Sequence, residues 1–267
     1  MAVDKLVDST QLDADLTSVA NAIRTKGGTS AELAFPQGFV NAIEDIPSGS
    51  DSLTLNTYQA GFTGQKLIIS DFYDSIIFNM NVGGAATDVF HMSYAFMGMT
   101  TNKLTINMEK GFIGIANYMI ANAEVPVIEF NVNSSRMSSA GGFLDNCSTI
   151  SLTGTPFDYS SIPAGAGYMA PFIGCRQLEY VRFVANTIPR SLNFKDCVSL
   201  DADSFVSIAN GLNANYSYNV QFPTSKQSLV QSTMGNVVDG LFVADASGTT
   251  SLADFITTTK GWVIAWA

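Results

Sequence analysis

The sequence predicts an α+β protein built on a short leucine-rich-repeat or β-solenoid array. Three observations carry that prediction. A four-residue signature recurs five times between Phe96 and Cys197. Short β-like runs follow most of its copies. The chain on either side of the repeats changes to helical spacing, which predicts an N-terminal helical hairpin and a C-terminal α/β cap. The signature is an apolar residue, any residue, then Gly, Asn or Asp, then a small or sulfur-bearing residue. Its copies are Phe96–Met99, Ile120–Ala123, Leu144–Cys147, Phe172–Cys175 and Phe194–Cys197, with starts 24, 24, 28 and 22 residues apart. A period of about 20–30 residues with one strand per unit marks a stacked array, because a unit that small cannot bury its apolar face alone. The fourth position is expected to face the shared core, where Ala, Met and free Cys fit. The apolar residue after each copy (Leu104, Ile128, Ile150, Leu178, Leu200) is expected to start the strand side.

Residues 1–50 read as a separate helical hairpin for attachment or oligomerisation. Ser9 or Thr10 is placed to cap a helix from Gln11 to Thr25, with Leu12, Leu16, Val19, Ala20 and Ile23 on one stripe. Asp13 and Asp15 would then lie in the first turn and Arg24 and Lys26 in the last, as the helix dipole favours. Gly27-Gly28 supplies the stop. A second helix is expected from Pro36 or Gln37 to Ile46, with Phe39, Val40, Ile43 and Ile46 on its apolar side. Leu16, Val19, Ile23, Phe39 and Ile43 are the candidate assembly residues. Residues 51–200 are expected to hold a β cap over 53–90 and then the repeats. The cap would contain strand runs at Leu53–Leu55, Lys66–Ser70 and Ser75–Met80, and cover the first edge of the array. Residues 201–267 read as a closing segment: a helix capped by Asp201 or Asp203, an alternating stretch Tyr216-Tyr218-Val220-Phe222, a helix near Ser225–Met234, another over Thr250–Thr259, and a last strand Trp262–Trp266.

Composition narrows the function. Apolar residues make up 46% and mean hydropathy is +0.19, which excludes a disordered chain. Charged residues are only 13% against about 25% in an average domain, so the surface is rich in neutral polar groups. A net charge of −10 with 13 scattered basic residues argues against nucleic acid as a partner. No run of about 18 apolar residues predicts a membrane span. The N-terminal MAVDKLVDST lacks an apolar core and a cleavage site, so no secretory signal is expected. Cys147, Cys175 and Cys197 share one signature position and read as packing groups rather than as disulfides or metal ligands. His91 is the only histidine and lies outside any nucleophile elbow. The repeat carboxylates (Glu109, Glu124, Glu129, Asp145, Asp158, Glu179, Asp196) form no evident catalytic pair. No phosphate-binding or dinucleotide motif occurs. A non-enzymatic protein without a cofactor is therefore expected.

Two loops between repeats are long: Asn133–Gly142 and Thr155–Pro171. Insertions in solenoids gather on one face, often the binding face. Phe157, Tyr159 and Tyr168 are the aromatic candidates for stacking on a sugar ring, with Asp158 and Ser160 as hydrogen-bond partners.

The spacing in Phe172–Leu178 (FIGCRQL) and Phe194–Leu200 (FKDCVSL), with LDNCSTI from Leu144, resembles the BspA-type leucine-rich repeat. That family is common in bacterial surface proteins and in tail-associated proteins of phages of Gram-positive bacteria. Met99 and Ala123 depart from its cysteine. The stretch LTSVANAIRTKGGTSAELAFPQGFVNAIEDI resembles a helical hairpin at the N-termini of phage tail-module proteins. Ser199, Leu200, Ser204, Phe205, Ile208 and Leu212, with Thr259, Lys260, Gly261, Trp262 and Ile264, are similar to the closing segment of phage BspA-type proteins. The resemblance implies a virion structural protein of the tail tip, baseplate or fibre, made in the host cytoplasm, acting in host-surface adsorption. Its implied partners are other tail or baseplate proteins and a host-envelope glycan or protein, as a homo-oligomer, with a trimer the expected state. The alternatives are a bacterial surface adhesin, which needs an export signal, and a glycan depolymerase, which needs two facing carboxylates.

Overall fold

The structure, a computed structural model, describes residues 9–27, 38–40, 52–56, 67–69 and 72–267. The chain divides into two compact units, Met1–Ser50 and Asp51–Ala267.

In the first unit one helix, α1 (Ser9–Gly27), stops at the first of the paired glycines. It starts before Gln11, so Asp13 and Asp15 sit beyond its first turn and do not complement its dipole as expected. Leu16 is half-buried, Ala20 is buried and Val19 is 49% exposed. Residues 38–40 are helical and Phe39 is buried. The side chain of Ile23, all of Ile43 and most of the expected second helix lie outside the described residues.

The second unit is a β-solenoid of about seven turns. Its first sheet is wholly parallel, in the order β1 (Ser52–Asn56), β2 (Tyr73–Met80), β4 (Thr101–Met108), β6 (Val127–Asn131) and β7 (Ser151–Gly154). Register aligns Ile76, Leu104, Ile128 and Leu152 in one inward column, and Phe78, Ile106 and Phe130 in a second. All of these are buried, as period-two alternation on a half-covered sheet requires. β1 and β2 are therefore the first rungs of the array, not a separate cap. Residues 67–69 are not a strand, and the ends of the expected Lys66–Ser70 run fall outside the described residues. Ile150 is exposed; Leu152 takes the core position expected for it, because Leu104, Ile128 and Leu152 each follow their signature by the same interval.

A small second sheet pairs β3 (Val89–His91) with β5 (Phe112–Ile115), and single bridges Ile115–Ser139, Phe157–Phe183 and Ile188–Leu212 continue the pairing of turn on turn. The signatures make the third side. The amides of Phe96, Ile120 and Leu144 donate to the carbonyls of Met119, Phe143 and Pro171 in the next turn. Those of Gly98, Asn122 and Asn146 donate to Ala121, Asp145 and Ile173. The third signature position is left-handed at Gly98, Asn122, Asn146 and Gly174, with φ of 71°, 53°, 52° and 69°. That conformation favours glycine and tolerates asparagine, which explains the restricted choice there. Met99, Ala123, Cys147, Cys175 and Cys197 are all buried. Each cysteine Sγ–H donates to the carbonyl of the residue opening the preceding signature: Ile120, Leu144 and Phe172.

A helix and a further sheet follow the repeats. In α2 (Ala202–Gly211), Asp201 caps the helix by accepting from the Ser204 amide at 2.7 Å. Two serines of this helix stand in for a missing strand: Ser204 Oγ accepts from Val181 N at 3.0 Å, and Ser207 Oγ from Phe183 N at 2.9 Å. A parallel sheet then continues, in the order β8 (Gly165–Met169), β9 (Arg190–Asn193), β10 (Asn219–Phe222) and β14 (Val263–Trp266). The helix expected near Ser225–Met234 is a 3₁₀ turn, Thr224–Lys226, leading into α3 (Gln227–Ser232). Met234 instead opens an antiparallel sheet of β11 (Met234–Val238), β12 (Leu241–Ala244) and β13 (Thr250–Ser251). Its hairpin turns at Asp239-Gly240, both left-handed, as a two-residue turn matched to strand twist needs. The helix expected over Thr250–Thr259 is a short α4 (Leu252–Asp254) running into a π-helical turn, Phe255–Thr259. Lys260 is buried behind it, donating to Asn186 Oδ1 and, at 3.2 Å, to Asn210 O.

Candidate functional site

Most of the ladder satisfies itself. On the outer face of the first sheet Asn56, Asn79, Asn107 and Asn131 form a column in which each Nδ2 donates to the Oδ1 of the preceding turn at 2.9–3.0 Å. Lys103 pairs with Glu129 at 2.9 Å alongside it. The Asn131 amide and Lys103 hold the Glu129 carboxyl below its ordinary range.

A second outer column is less ordinary. Tyr94 and Tyr118 precede the first two signatures by the same interval and are both left-handed, with φ of 63° and 51°. Their rings stack with centroids 5.7 Å apart and planes 3° from parallel, and both are exposed. A bulky residue with positive φ costs on the order of 1–3 kcal/mol and persists where surrounding structure enforces it, often at a functional site. The backbone ladder enforces it here: Tyr94 N donates to Asn117 O at 3.1 Å and Tyr118 N to Gly141 O at 3.0 Å.

At the next turn the column is interrupted. Gly142 occupies the equivalent place with φ of 62°, and a Cβ there would lie 2.4 Å from the Tyr118 ring. Glycine is required for both reasons. The step left by the missing side chain is the floor of a cleft of about 310 Å³. Asn117 Oδ1 fixes that floor by accepting from Gly141 N at 2.9 Å and from Ser139 Oγ at 2.6 Å. Ser138 Oγ donates to Gly114 O at 3.0 Å. Tyr118, Tyr168 and Arg190 stand around it, together with apolar side chains that include Ile162 and Ile173. Tyr168 is 44% exposed on the edge strand β8. Arg190 pairs in register with Gly165, and its Nε donates to Gly167 O at 2.7 Å. The guanidinium lies along this glycine-rich strand, where a Cβ on Gly167 would come within 3.1 Å of Nη2.

Both long loops therefore meet at one place: the first supplies Ser138–Gly142 and the second Tyr168. The individual residues expected in the second loop fare differently. Phe157 and Tyr159 are buried, 2% and 0% exposed, within an aromatic core that includes Phe183. They alternate inward from the Phe157–Phe183 bridge and present no face to a ligand. Asp158 is half-buried; its Oδ1 caps the local turn by accepting from Ser160 N at 2.9 Å. Tyr118, Gly142 and Arg190 were not foreseen. Arg190 reaches the cleft only through a pairing 25 residues back along the chain.

Two further depressions lie among the described residues. One of about 510 Å³ lies beside β14, with Asp254, Trp262 and Trp266 in its wall. One of about 350 Å³ covers the asparagine column. Neither joins the two long loops. Among the described residues no group of His, Cys, Asp or Glu is arranged to hold a metal ion, and no helix is long and apolar enough to cross a membrane. Burial raises the Cys147 and Cys197 thiols to about 11 and about 12 and moves Cys175 the same way, so none is a ready nucleophile. Compared with protein-family models, with curated proteins and with solved structures, the chain matches none of them.

Proposed function

We propose that this chain is a non-enzymatic virion protein of a phage or prophage, sited in the tail tip, baseplate or fibre, whose solenoid presents a binding cleft to the host envelope. The observation that carries the reading is the cleft at Gly142. It carries two tyrosines in its wall, draws on both long loops, and stands on a ladder whose asparagine column is already paired. Tyrosine faces beside a shallow polar floor suit a saccharide, since each ring offers a broad apolar plane with a hydrogen-bonding rim. Among the described residues the cleft lining carries no carboxylate, which favours binding over glycoside hydrolysis. The BspA-type spacing and the N-terminal hairpin motif support the tail assignment by resemblance. Under this reading Met1–Ser50 is the attachment unit, with Leu16, Val19, Ile23, Phe39 and Ile43 its apolar contacts to other tail proteins or to further copies, a trimer among them.

The test has two arms. Fluorescent full-length protein is mixed with envelopes isolated from Gram-positive cells, alongside the Tyr168→Ala variant. Induced virions are probed with antibody to the chain. Saturable binding lost in Tyr168→Ala, with label at the tail, is the expected result. Label on the bacterial surface instead of the virion favours the adhesin. Binding indifferent to Tyr168 removes the cleft from the account.

A further inference from the structure

We infer that the cleft takes an acidic saccharide, one bearing a carboxylate or a phosphate, and that Arg190 is the residue that selects it. The inference rests on the cleft being a saccharide site. Arg190 is the cleft's cation, and it has no carboxylate within ion-pair distance among the described residues. Its Nε is held by Gly167 O, while neither Nη has a hydrogen-bond partner among the described residues.

That arrangement is costly to explain as packing. A lysine or a neutral residue would tie down the edge strand as well through one bond. A guanidinium offers in addition a planar pair of donors matched to a carboxylate or phosphate. The chain carries a net charge of −10, so carboxylates to pair with an arginine are plentiful elsewhere. Arg182 likewise has no carboxylate partner among the described residues, but its guanidinium reaches Gly154 O and lies over the Tyr180 ring, and it lines none of the three depressions described above. The hydroxyl protons of the floor serines are committed to Asn117 and Gly114, so those serines can accept from a neutral sugar hydroxyl but cannot donate to an anion. Orientation would come from ring faces at Tyr118 and Tyr168, and charge recognition from Arg190. The bare strand Gly165–Gly167 keeps the guanidinium close to the β8 backbone and open to the cleft.

The probes are matched pairs: hexuronate-containing oligosaccharides, each with its carboxyl-reduced neutral counterpart, and sugar phosphates as a third set. Binding to the full chain is read by calorimetry for the native sequence, Arg190→Gln and Tyr168→Ala. Glutamine retains an N–H for Gly167 O while removing the charge, so the edge strand stays anchored. Unchanged thermal unfolding checks this. The expected result is that an acidic member binds roughly tenfold or more tighter than its neutral partner, and that Arg190→Gln erases that ratio. Preference for uronates over sugar phosphates, or the reverse, assigns the anion. Equal binding of acidic and neutral partners, abolished by Tyr168→Ala, overturns the inference and leaves the saccharide site standing. No binding by any probe overturns both.

Discussion

Tyr159 gives the sharpest test of the core. Its ring is fully buried, 5.7 Å from Phe157 and 5.2 Å from Phe183, and its hydroxyl has no hydrogen-bond partner among the described residues. An unsatisfied buried hydroxyl carries a desolvation penalty of about 1–3 kcal/mol. Tyr159→Phe removes the oxygen and keeps every ring contact. The space left is about 10 Å³, which at the usual cavity cost amounts to about 0.2 kcal/mol. The first effect wins, so Tyr159→Phe stabilises the solenoid by about 1–3 kcal/mol. In a domain of this size each kcal/mol raises the midpoint by about 2–4 °C. Burial also pushes the phenol well above its ordinary pKa, so it stays neutral across the working range and the gain is independent of pH. The assay is urea and thermal unfolding of both chains, with Tyr168→Phe, an exposed control, expected to change stability little. A loss of 1 kcal/mol or more in Tyr159→Phe would refute the reasoning, because the hydroxyl would then have a partner in solution. The same variant should bind envelopes like the native chain, since Tyr159 is no part of the cleft.

Three further outcomes follow from the columns. Asn107→Ala breaks two ladder bonds, from Asn131 and to Asn79, and should cost about 1–2 kcal/mol, while Asn56→Ala at the end of the column should cost about half as much by the same unfolding assay. The three thiols, raised by burial, should label with a maleimide at pH 8 roughly a hundredfold or more slower than in urea, as followed by mass spectrometry. Burial lowers the pKa of Lys260, so the native state binds fewer protons than the unfolded state between that value and the ordinary lysine value. Stability should therefore rise with pH across that window, and Lys260→Met, which lacks the amine, should flatten the rise in a pH series of unfolding curves.

What could be read from sequence was what backbone geometry restricts. The third signature position admits few residues because it is left-handed, and the fourth because it faces a core shared by every turn. Both constraints act locally, so they leave a pattern. Asp196 fits that pattern in sequence but is not left-handed, a reminder that the pattern outruns its cause in the last copy. The Asp239-Gly240 turn lies between apolar runs, which is a hairpin signal in the sequence itself. Phe157 and Tyr159 were misread because their alternation, a strand signal, was taken for loop composition. Which face such a short strand buries is set by Phe183, one turn away. Tyr94 and Tyr118 had no signal at all: propensity does not place tyrosine in the left-handed region, and only the carbonyls of the next turn hold it there.

The cleft lies where repetition fails, and physics gives the reason. In a parallel stack each rung's polar groups are taken up by the rungs beside it, as the asparagine column shows over four turns. A rung in such a column has little left to offer a ligand. It regains capacity only where the next rung withholds its side chain. The tyrosine column stops at Gly142; the asparagine column ends at Asn131, whose place in the next turn falls to Thr155, one residue beyond Gly154. Gly142 lies two residues ahead of the signature that opens the 28-residue interval, the stretch that also delivers Tyr168. A glycine that ends a column lets the Tyr118 ring lie over its Cα without disturbing the backbone ladder, since its amide still donates, at 2.9 Å for Gly142 to Ala170 O. The solenoid thus keeps its rigidity through the break, and a site formed there is held by bonds on both sides of it.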